Sequence, residues 1–147
     1  MAASKHRPVL IVIAGPYGSG KTSVTSKILH HEWLEDSEYI LRAKQAGFFI
    51  RLFFVSTESP TINAKRVANR VLNGGHDVPI PKIISRYDKS IANCGALAQF
   101  VDRLYVYDNS IENVEARLLF RLSDGVLAKR YVQQLPDWAS TIFPKYS

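Results

Sequence analysis

The chain has 147 residues, of which 46% are hydrophobic and 22% are charged, a composition that excludes a disordered protein. This length is enough for one domain with a hydrophobic core and too short for two independently stable domains. The single cysteine, Cys94, excludes an internal disulfide and suits the reducing cytoplasm, where we expect the protein to reside. No apolar stretch is long enough to span a bilayer, so we expect no membrane partner.

The formal net charge is +6 at pH 7. Lys and Arg are scattered along the sequence rather than massed, and no nucleic-acid recognition motif appears, so a nucleic-acid partner is not expected and a basic nucleic-acid-associated protein is only a third, weaker interpretation. Anionic small molecules explain the excess of positive charge at least as well, and so does the need for solubility.

The first predicted element is a strand over Val9–Ala14, a continuous apolar run rich in β-branched residues that is typical of a strand buried on both faces. Residues 1–7 are predicted to be a flexible N-terminus. A helix is predicted from Thr22 to about Trp33, because Val24, Ile28 and Leu29 recur there at helical spacing.

Between these two elements, residues 15–22 read Gly-Pro-Tyr-Gly-Ser-Gly-Lys-Thr and fit the Walker A pattern G-x-x-x-x-G-K-[ST]. This pattern between a strand and a helix favours the binding of nucleoside triphosphate phosphates, with an ordinary glycine-rich turn as the alternative. The predicted nucleotide-binding residues in this loop are Gly15, Pro16, Tyr17, Gly18, Ser19, Gly20, Lys21 and Thr22.

Two side chains of this loop have predicted chemical roles. Lys21 reaches the outer phosphates as a point charge and is predicted to be catalytic. The hydroxyl of Thr22 is the predicted ligand of Mg²⁺. The predicted cofactors are therefore ATP and Mg²⁺.

The later elements alternate between helix and strand. Helices are predicted at 38–46 (ending at Gly47), at 61–72 (capped by Ser59-Pro60), at 80–93 and around Trp138, with strands at 48–55 and 103–107 and a hairpin of 116–122 with 126–132. The side chains expected to be buried are Ile62, Val67, Val71 and Leu72 in the helix at 61–72, and Ile80, Ile84, Tyr87 and Ile91 in the helix at 80–93.

This alternation predicts an α/β fold with a mostly parallel sheet, whose ligands sit beyond the carboxyl ends of the strands. Three segments follow strand ends and should face one crevice: residues 15–22, which we call the glycine loop, Ser56–Ser59 and Asp108–Asn109. Asn109 either borders the adenine or forms a turn with Asp108. Glu58 is either a substitute acid near the site or a support for the following helix N-terminus. Arg66 and Arg70 share one helix face, and Arg70 is expected at the surface.

Four stretches, in this order, resemble the zeta-toxin-like P-loop kinases. They are VIAGPYGSGKTSVTSKIL, RAKQAGFFIRLFFVSTESP, RVANRVLNGGHDVPIPKIISRYDKSIAN and DRLYVYDNS, and the segment 74–79 with Arg86 is the more specific part. The resemblance covers roughly residues 9–110. It implies a single P-loop kinase-like domain over 1–147, a three-layer α/β/α arrangement with a reduced sheet, and a lid-like segment at 74–93.

The resemblance also implies roles for residues. Arg86 is expected to be a catalytic lid arginine that contacts the triphosphate, although it also fits a solvated basic face with Lys82 and Lys89. The implied reaction transfers the γ-phosphoryl group to a hydroxyl of a nucleotide sugar such as UDP-N-acetylglucosamine. An antitoxin is a further implied partner.

The sequence departs from the family between the first helix and the strand near Phe48. Family members carry there two strands and an aspartate that activates the acceptor hydroxyl, and nothing in this sequence matches that aspartate. The chain therefore looks like an internally deleted member. We expect the Val9–Ala14 strand to lie at the sheet edge and to favour self-association. The alternative function is a catalytically impaired nucleotide-binding remnant that acts through self or partner association.

Overall fold

A computed structural model describes residues 7–20, 31–32, 38–75 and 77–144. The described elements are β1 (Val9–Ala14), β2 (His31–Glu32), α1 (Glu38–Gln45), β3 (Phe49–Ser56), α2 (Pro60–Leu72), α3 (Ile80–Leu97), β4 (Arg103–Asp108), β5 (Arg117–Ser123), β6 (Val126–Arg130) and α4 (Asp137–Ser140). The predicted α/β class is confirmed. Most of the helix predicted from Thr22 lies outside the described residues.

The described strands form a sheet in the order β2-β1-β3-β4-β5-β6. The first four strands run parallel, and β5 and β6 pair antiparallel at the far side. Asp124 (φ 51°) and Gly125 (φ 79°) close the β5–β6 hairpin, and two successive positive φ angles are what a type I′ turn requires. The predicted mostly parallel sheet with a C-terminal hairpin is therefore confirmed.

The prediction that β1 forms the sheet edge is wrong for Ile13 and Ala14, because the two-residue β2 lies outside them. His31 and Glu32 were predicted to be near the end of the first helix, and instead pair with Ile13 and Ala14 as a parallel strand. Unpaired backbone groups of a buried strand are costly, which favours this pairing. On that side of β1, residues 9–12 pair with no described strand.

The core lies on one face of the sheet, under α1, α3 and α4. Its strand side chains alternate along the chain, as a period of two requires, and include Val12, Ala14, Ile50, Leu52, Phe54, Leu104 and Val106. The helices cover them with Ile40, Tyr87, Ile91, Cys94, Leu97 and Trp138. A second helical layer on the opposite face stays a prediction.

The buried stripe of α3 differs from the predicted one. Ile83 is 1% exposed, whereas Ile80 and Ile84, which were predicted to be buried, are 60% and 49% exposed. The helix extends four residues beyond the predicted end at Asn93, and the added turn buries Cys94 and Leu97. Those two residues continue the stripe of Ile83, so they set the rotation of the helix on the sheet.

The end of α2 also differs from the prediction. Val67 is buried, but Val71 and Leu72 are 37% and 84% exposed. The helix stops at Asn73-Gly74 beyond the sheet, so its last turn has no apolar surface to cover.

A buried carboxylate joins the amino ends of the strands. Asp102 accepts hydrogen bonds from the Ile50 amide (2.7 Å) and from Lys44 Nζ (3.0 Å), and Arg7 lies 3.7 Å away. Burial acts to raise the pKa of Asp102, but these donors outweigh it and the pKa is lowered. The carboxylate is therefore ionised and holds β3 and α1 to the start of β4. No helix in the described part of the chain is long and apolar enough to cross a bilayer.

Candidate functional site

The glycine loop and the ends of β3 and β4 meet at one edge of the sheet, as predicted. The Asn109 amide donates to the Ser56 carbonyl (2.9 Å), which joins the two segments that follow these strands. The backbone of Gly15 lies so close to β3 that an added Cβ would sit 2.0 Å from the Val55 carbonyl oxygen. The loop, β3 and the segment after β4 thus meet through main-chain atoms.

The loop is bent, and its glycines are needed for the bend. Gly18 and Gly20 have φ angles of 75° and 90°, in a region that L-residues with a side chain rarely adopt. A Cβ on Gly18 would lie 2.5 Å from the Asn63 carbonyl oxygen of α2. The Ser19 amide returns to the Pro16 carbonyl (3.2 Å) and closes a turn. The loop is therefore enclosed between β3 and α2.

Arg66 on α2 holds the loop from the side. Its guanidinium donates to the carbonyls of Gly18 (3.3 Å) and Ser19 (3.4 Å), and to the Asn109 carbonyl (2.5 Å). Its Nε atom also pairs with Glu112 (2.6 Å). A planar group with several donors suits this task. Sequence reasoning did not find this role, because the spacing of Arg66 and Arg70 places both on one face and cannot show which one meets the loop; Arg70 is exposed, as expected.

Asp108 and Asn109 have structural partners. Asp108 accepts from the Ser110 amide (3.0 Å) and from Trp138 Nε1 (2.8 Å), so both of its oxygens are engaged and the turn interpretation is confirmed for it. The Asn109 side chain donates to the Ser19 carbonyl (3.1 Å) and supports the loop. A cavity of about 320 Å³ lies beside them, lined by Gly20, Arg66, Asn109, Ile111, Glu112, Asn113 and Val114. Contact of Asn109 with adenine stays a prediction.

A chain of buried polar groups links the loop to α3. The Thr57 hydroxyl contacts Asn63 Oδ1 (2.5 Å), and Tyr87 donates its hydroxyl hydrogen to the Thr57 carbonyl (2.5 Å). Burial, supported by the nearby carboxylates of Asp88, Asp108 and Glu58, raises the pKa of Tyr87 to about 12. Tyr87 is therefore protonated at neutral pH and remains a donor.

The first turns of α3 reach the glycine loop. Lys82 Nζ lies 5.9 Å from the centre of the Tyr17 ring, within the range of a cation–π contact. Arg86 is one turn further along α3 on the same side and is partly buried. Contact of Arg86 with a triphosphate stays a prediction. Arg86 lies one helical turn from Lys82, whose side chain contacts the Tyr17 ring of the loop.

The predicted cap of α2 is confirmed, because Ser59 Oγ accepts a hydrogen bond from the Thr61 amide (3.0 Å). Electrostatic support of this helix end by Glu58, the residue before the cap, stays a prediction. Glu58 also lines a cavity of about 430 Å³ with Leu135, Pro136, Asp137 and Trp138. Its backbone amide donates to Ser110 Oγ (2.9 Å). A carboxylate thus borders a cavity at the carboxyl end of the sheet.

Lys21 and Thr22, with their predicted catalytic and Mg²⁺-binding roles, lie outside the described residues. Among the described residues, no group of three or more His, Cys, Asp or Glu side chains is arranged to hold a metal ion. Gly15 and Gly18 pack directly against the main chain of β3 and α2. Ser19 Oγ and Asn63 Nδ2 are buried without a hydrogen-bond partner among the described residues.

No protein-family model matches the chain, and no curated protein matches it.

Proposed function

We propose that this protein binds the phosphates of ATP, with Mg²⁺, at residues 15–22 in the manner of P-loop proteins. The observation that carries the proposal is the Walker A pattern on a loop that directly follows β1 and bends at Gly18 and Gly20, both with positive φ angles. A loop of this shape at a strand end favours a ligand that is bound by backbone amides. The two unpartnered polar atoms, Ser19 Oγ and Asn63 Nδ2, support the same reading.

We further propose that the protein is a kinase of the zeta-toxin type, as the sequence resemblance implies. Mg²⁺ would neutralise developing charge on the phosphates, with Thr22 as its ligand. Lys21 binds and orients the outer phosphates, and Arg86 adds a second positive charge from α3. Arg66 and Asn109 position the loop by holding its carbonyl groups.

The acceptor in this proposal is a hydroxyl of a nucleotide sugar such as UDP-N-acetylglucosamine. The sequence has no counterpart of the family's activating aspartate. Glu58 is the residue we propose in its place, because its carboxylate borders the cavity at the carboxyl ends of the strands. Loss of a general base usually lowers the rate by about 10²- to 10⁴-fold, so Glu58→Gln should lower the rate of transfer by about that factor while ATP binding is retained.

The test measures ATP binding by calorimetry and then phosphoryl transfer to UDP-N-acetylglucosamine, for the intact chain and for Lys21→Ala. Removing the Lys21 ammonium should weaken ATP binding by about ten- to a hundredfold, the equivalent of one charge-assisted hydrogen bond. Lys65→Ala, an exposed lysine on α2, is the matched control and should bind ATP like the intact chain. Equal binding by the intact chain and Lys21→Ala would contradict the proposal, and binding without transfer would select the alternative below.

The alternative is a nucleotide-binding remnant that acts through association with a second copy of itself. The observation that favours it is the outer side of β1, where residues 9–12 pair with no described strand and Val9 is 53% exposed. Such an edge invites pairing with another chain. Sedimentation at micromolar concentration should then show a dimer, and Val9→Lys should shift it to a monomer. A stable monomer of the intact chain would contradict this alternative.

A further inference from the structure

Three arginines gather around one aromatic ring at the amino end of the sheet. The guanidinium carbons of Arg7, Arg51 and Arg103 lie 5.4, 5.3 and 5.1 Å from the centre of the Phe49 ring. We call these three residues and Phe49 the arginine cluster. Each cation gains from the ring, but the like charges repel one another across it.

Little negative charge among the described residues offsets the arginine cluster. Asp102 is 3.7 Å from Arg7 and is already bound by Lys44 and the Ile50 amide. Asp124 is 3.7 Å from Arg103 and its side chain is 72% exposed, so this pair contributes little. An anionic ligand would relieve the repulsion.

The arginine cluster continues into a row of cations across the sheet. Arg51 pairs with Arg103 in register, Tyr105 pairs with Arg121, and Arg121 pairs with Lys129. Paired residues of adjacent strands lie on the same face. This face, opposite the core under α1, α3 and α4, therefore brings together cations that are far apart in the sequence. We call it the basic face.

Aromatic rings lie between these cations. Phe53 and Tyr105 stack with their centres 4.5 Å apart, and Arg51 donates to the Tyr105 hydroxyl (2.6 Å). Tyr107 lies two residues after Tyr105 on β4 and therefore on the same face of the sheet. Burial, and then Tyr105 and Tyr131, raise the pKa of Tyr107. Tyr131 is 40% exposed and carries Lys129 Nζ 5.0 Å above its ring.

We propose that the basic face binds single-stranded nucleic acid. Guanidinium and ammonium groups would contact the phosphodiester groups, and the tyrosines would stack with bases. This combination of a positively charged surface and aromatic rings is how proteins bind single strands with little sequence preference. An acidic peptide would use the cations alone and would leave the rings without a role.

The basic face is separate from the glycine loop. The arginine cluster lies at the amino end of β3, whereas the loop contacts Val55 near its carboxyl end, about 20 Å away along the strand. Binding of nucleic acid is therefore independent of the proposed ATP site, and Lys21→Ala should leave it unchanged.

The first experiment titrates the intact chain into fluorescein-labelled twelve-nucleotide oligothymidylate and oligouridylate and records anisotropy. With four phosphate contacts, from Arg51, Arg103, Arg121 and Lys129, the affinity should fall by roughly fiftyfold between 50 and 200 mM salt. A duplex of the same length should bind more weakly, because its bases are not free to stack. Absence of binding in 50 mM salt, or equal binding of duplex and single strand, would overturn the proposal.

The second experiment removes either the charges or a ring. The double variant Arg121→Gln with Lys129→Gln should raise the Kd by roughly twentyfold in 100 mM salt. It should also lower the slope of log Kd against log salt concentration to the value expected for two fewer phosphate contacts. Tyr131→Ala should raise it by roughly five- to a hundredfold while leaving the salt dependence unchanged. The matched control is Lys65→Gln with Arg70→Gln, the same charge change on exposed positions of α2, and should have a much smaller effect.

Thermal unfolding and sedimentation of each variant identify the competing explanations. If the basic-face variants lower the unfolding temperature or change the oligomeric state while oligonucleotide binding is unchanged, the face packs against protein and the proposal is wrong. Equal displacement of the oligonucleotide by polyglutamate and by unlabelled oligothymidylate of the same charge would show a purely electrostatic surface and would also overturn it.

Discussion

The two ends of the central strands both have arginines, but their surroundings differ. At the carboxyl end, Arg66 donates to three main-chain carbonyls and to Glu112, so its donors are used to hold the glycine loop. At the amino end, Arg7, Arg51 and Arg103 share one aromatic ring and few carboxylates, and each also donates to a neutral oxygen of the protein. Arg66 alone among these four concentrates its donors on one loop, whereas the three cations at the amino end lie together with little negative charge beside them.

The largest expected effect tests how tightly the carboxyl end is packed. Gly18→Ala should lower the free energy of unfolding by about 3 to 4 kcal/mol, because a positive φ and a blocked Cβ position act together. Gly47→Ala is the control, since Gly47 also has a positive φ (91°) but has nothing within 4 Å of an added Cβ. It should cost about 1 kcal/mol. Equal losses in urea denaturation would show that the loop is not enclosed.

The next prediction concerns the buried carboxylate at the amino end. Asp102→Asn should lower the free energy of unfolding by about 2 to 3 kcal/mol, because Lys44 and Arg7 lose their negative partner. The pKa of Asp102 is lowered by folding, so its contribution is present above the ordinary value of 3.8 and is lost as the pH falls through the folded value. The difference between the two proteins should therefore shrink in acid, and a constant difference down to pH 2 would contradict this.

A smaller effect is expected for the link between α3 and the loop segment. Tyr87→Phe removes one buried hydrogen bond and should cost about 1 kcal/mol at pH 7. Folding raises the pKa of Tyr87 to about 12, so its contribution is complete below pH 10 and is lost as the pH rises to about 12. Denaturation of both proteins at pH 8, 10 and 11.5 measures the difference, which should decrease at the highest pH. A difference that grows with pH would mean that Tyr87 ionises more easily in the folded protein.

The smallest expected effect is at the exposed partner of Arg66. Glu112→Gln should change the free energy of unfolding by less than about 0.5 kcal/mol, because the Glu112 side chain is 68% exposed and Arg66 keeps its carbonyl acceptors. Chemical denaturation at low and moderate salt provides the measurement. A loss above about 2 kcal/mol would show that Arg66 depends on this carboxylate, and the two ends of the sheet would then differ less than the contacts indicate.

The sequence predicted elements well where local signals are strong. Ser59-Pro60 marked the start of α2, Gly47 marked the end of α1, and the apolar run Val9–Ala14 gave β1 with its observed bounds. Each of these signals acts within a few residues, through a cap, a positive φ or a run of β-branched side chains. The extension of α3 to Leu97 had no such signal, because burial against the sheet continues the helix there.

Neighbouring residues along the chain specify the glycine loop, the alternation of helices and strands, and the period of two that sorts each strand into two faces. Long-range contacts specify that β2 borders β1, that Arg66 rather than Arg70 holds the loop, and that Arg51, Arg103, Arg121 and Lys129 share a face. Strand order and register join residues that are distant in the chain, and no local preference specifies them. Charges that are scattered in sequence therefore become a surface only when the sheet forms.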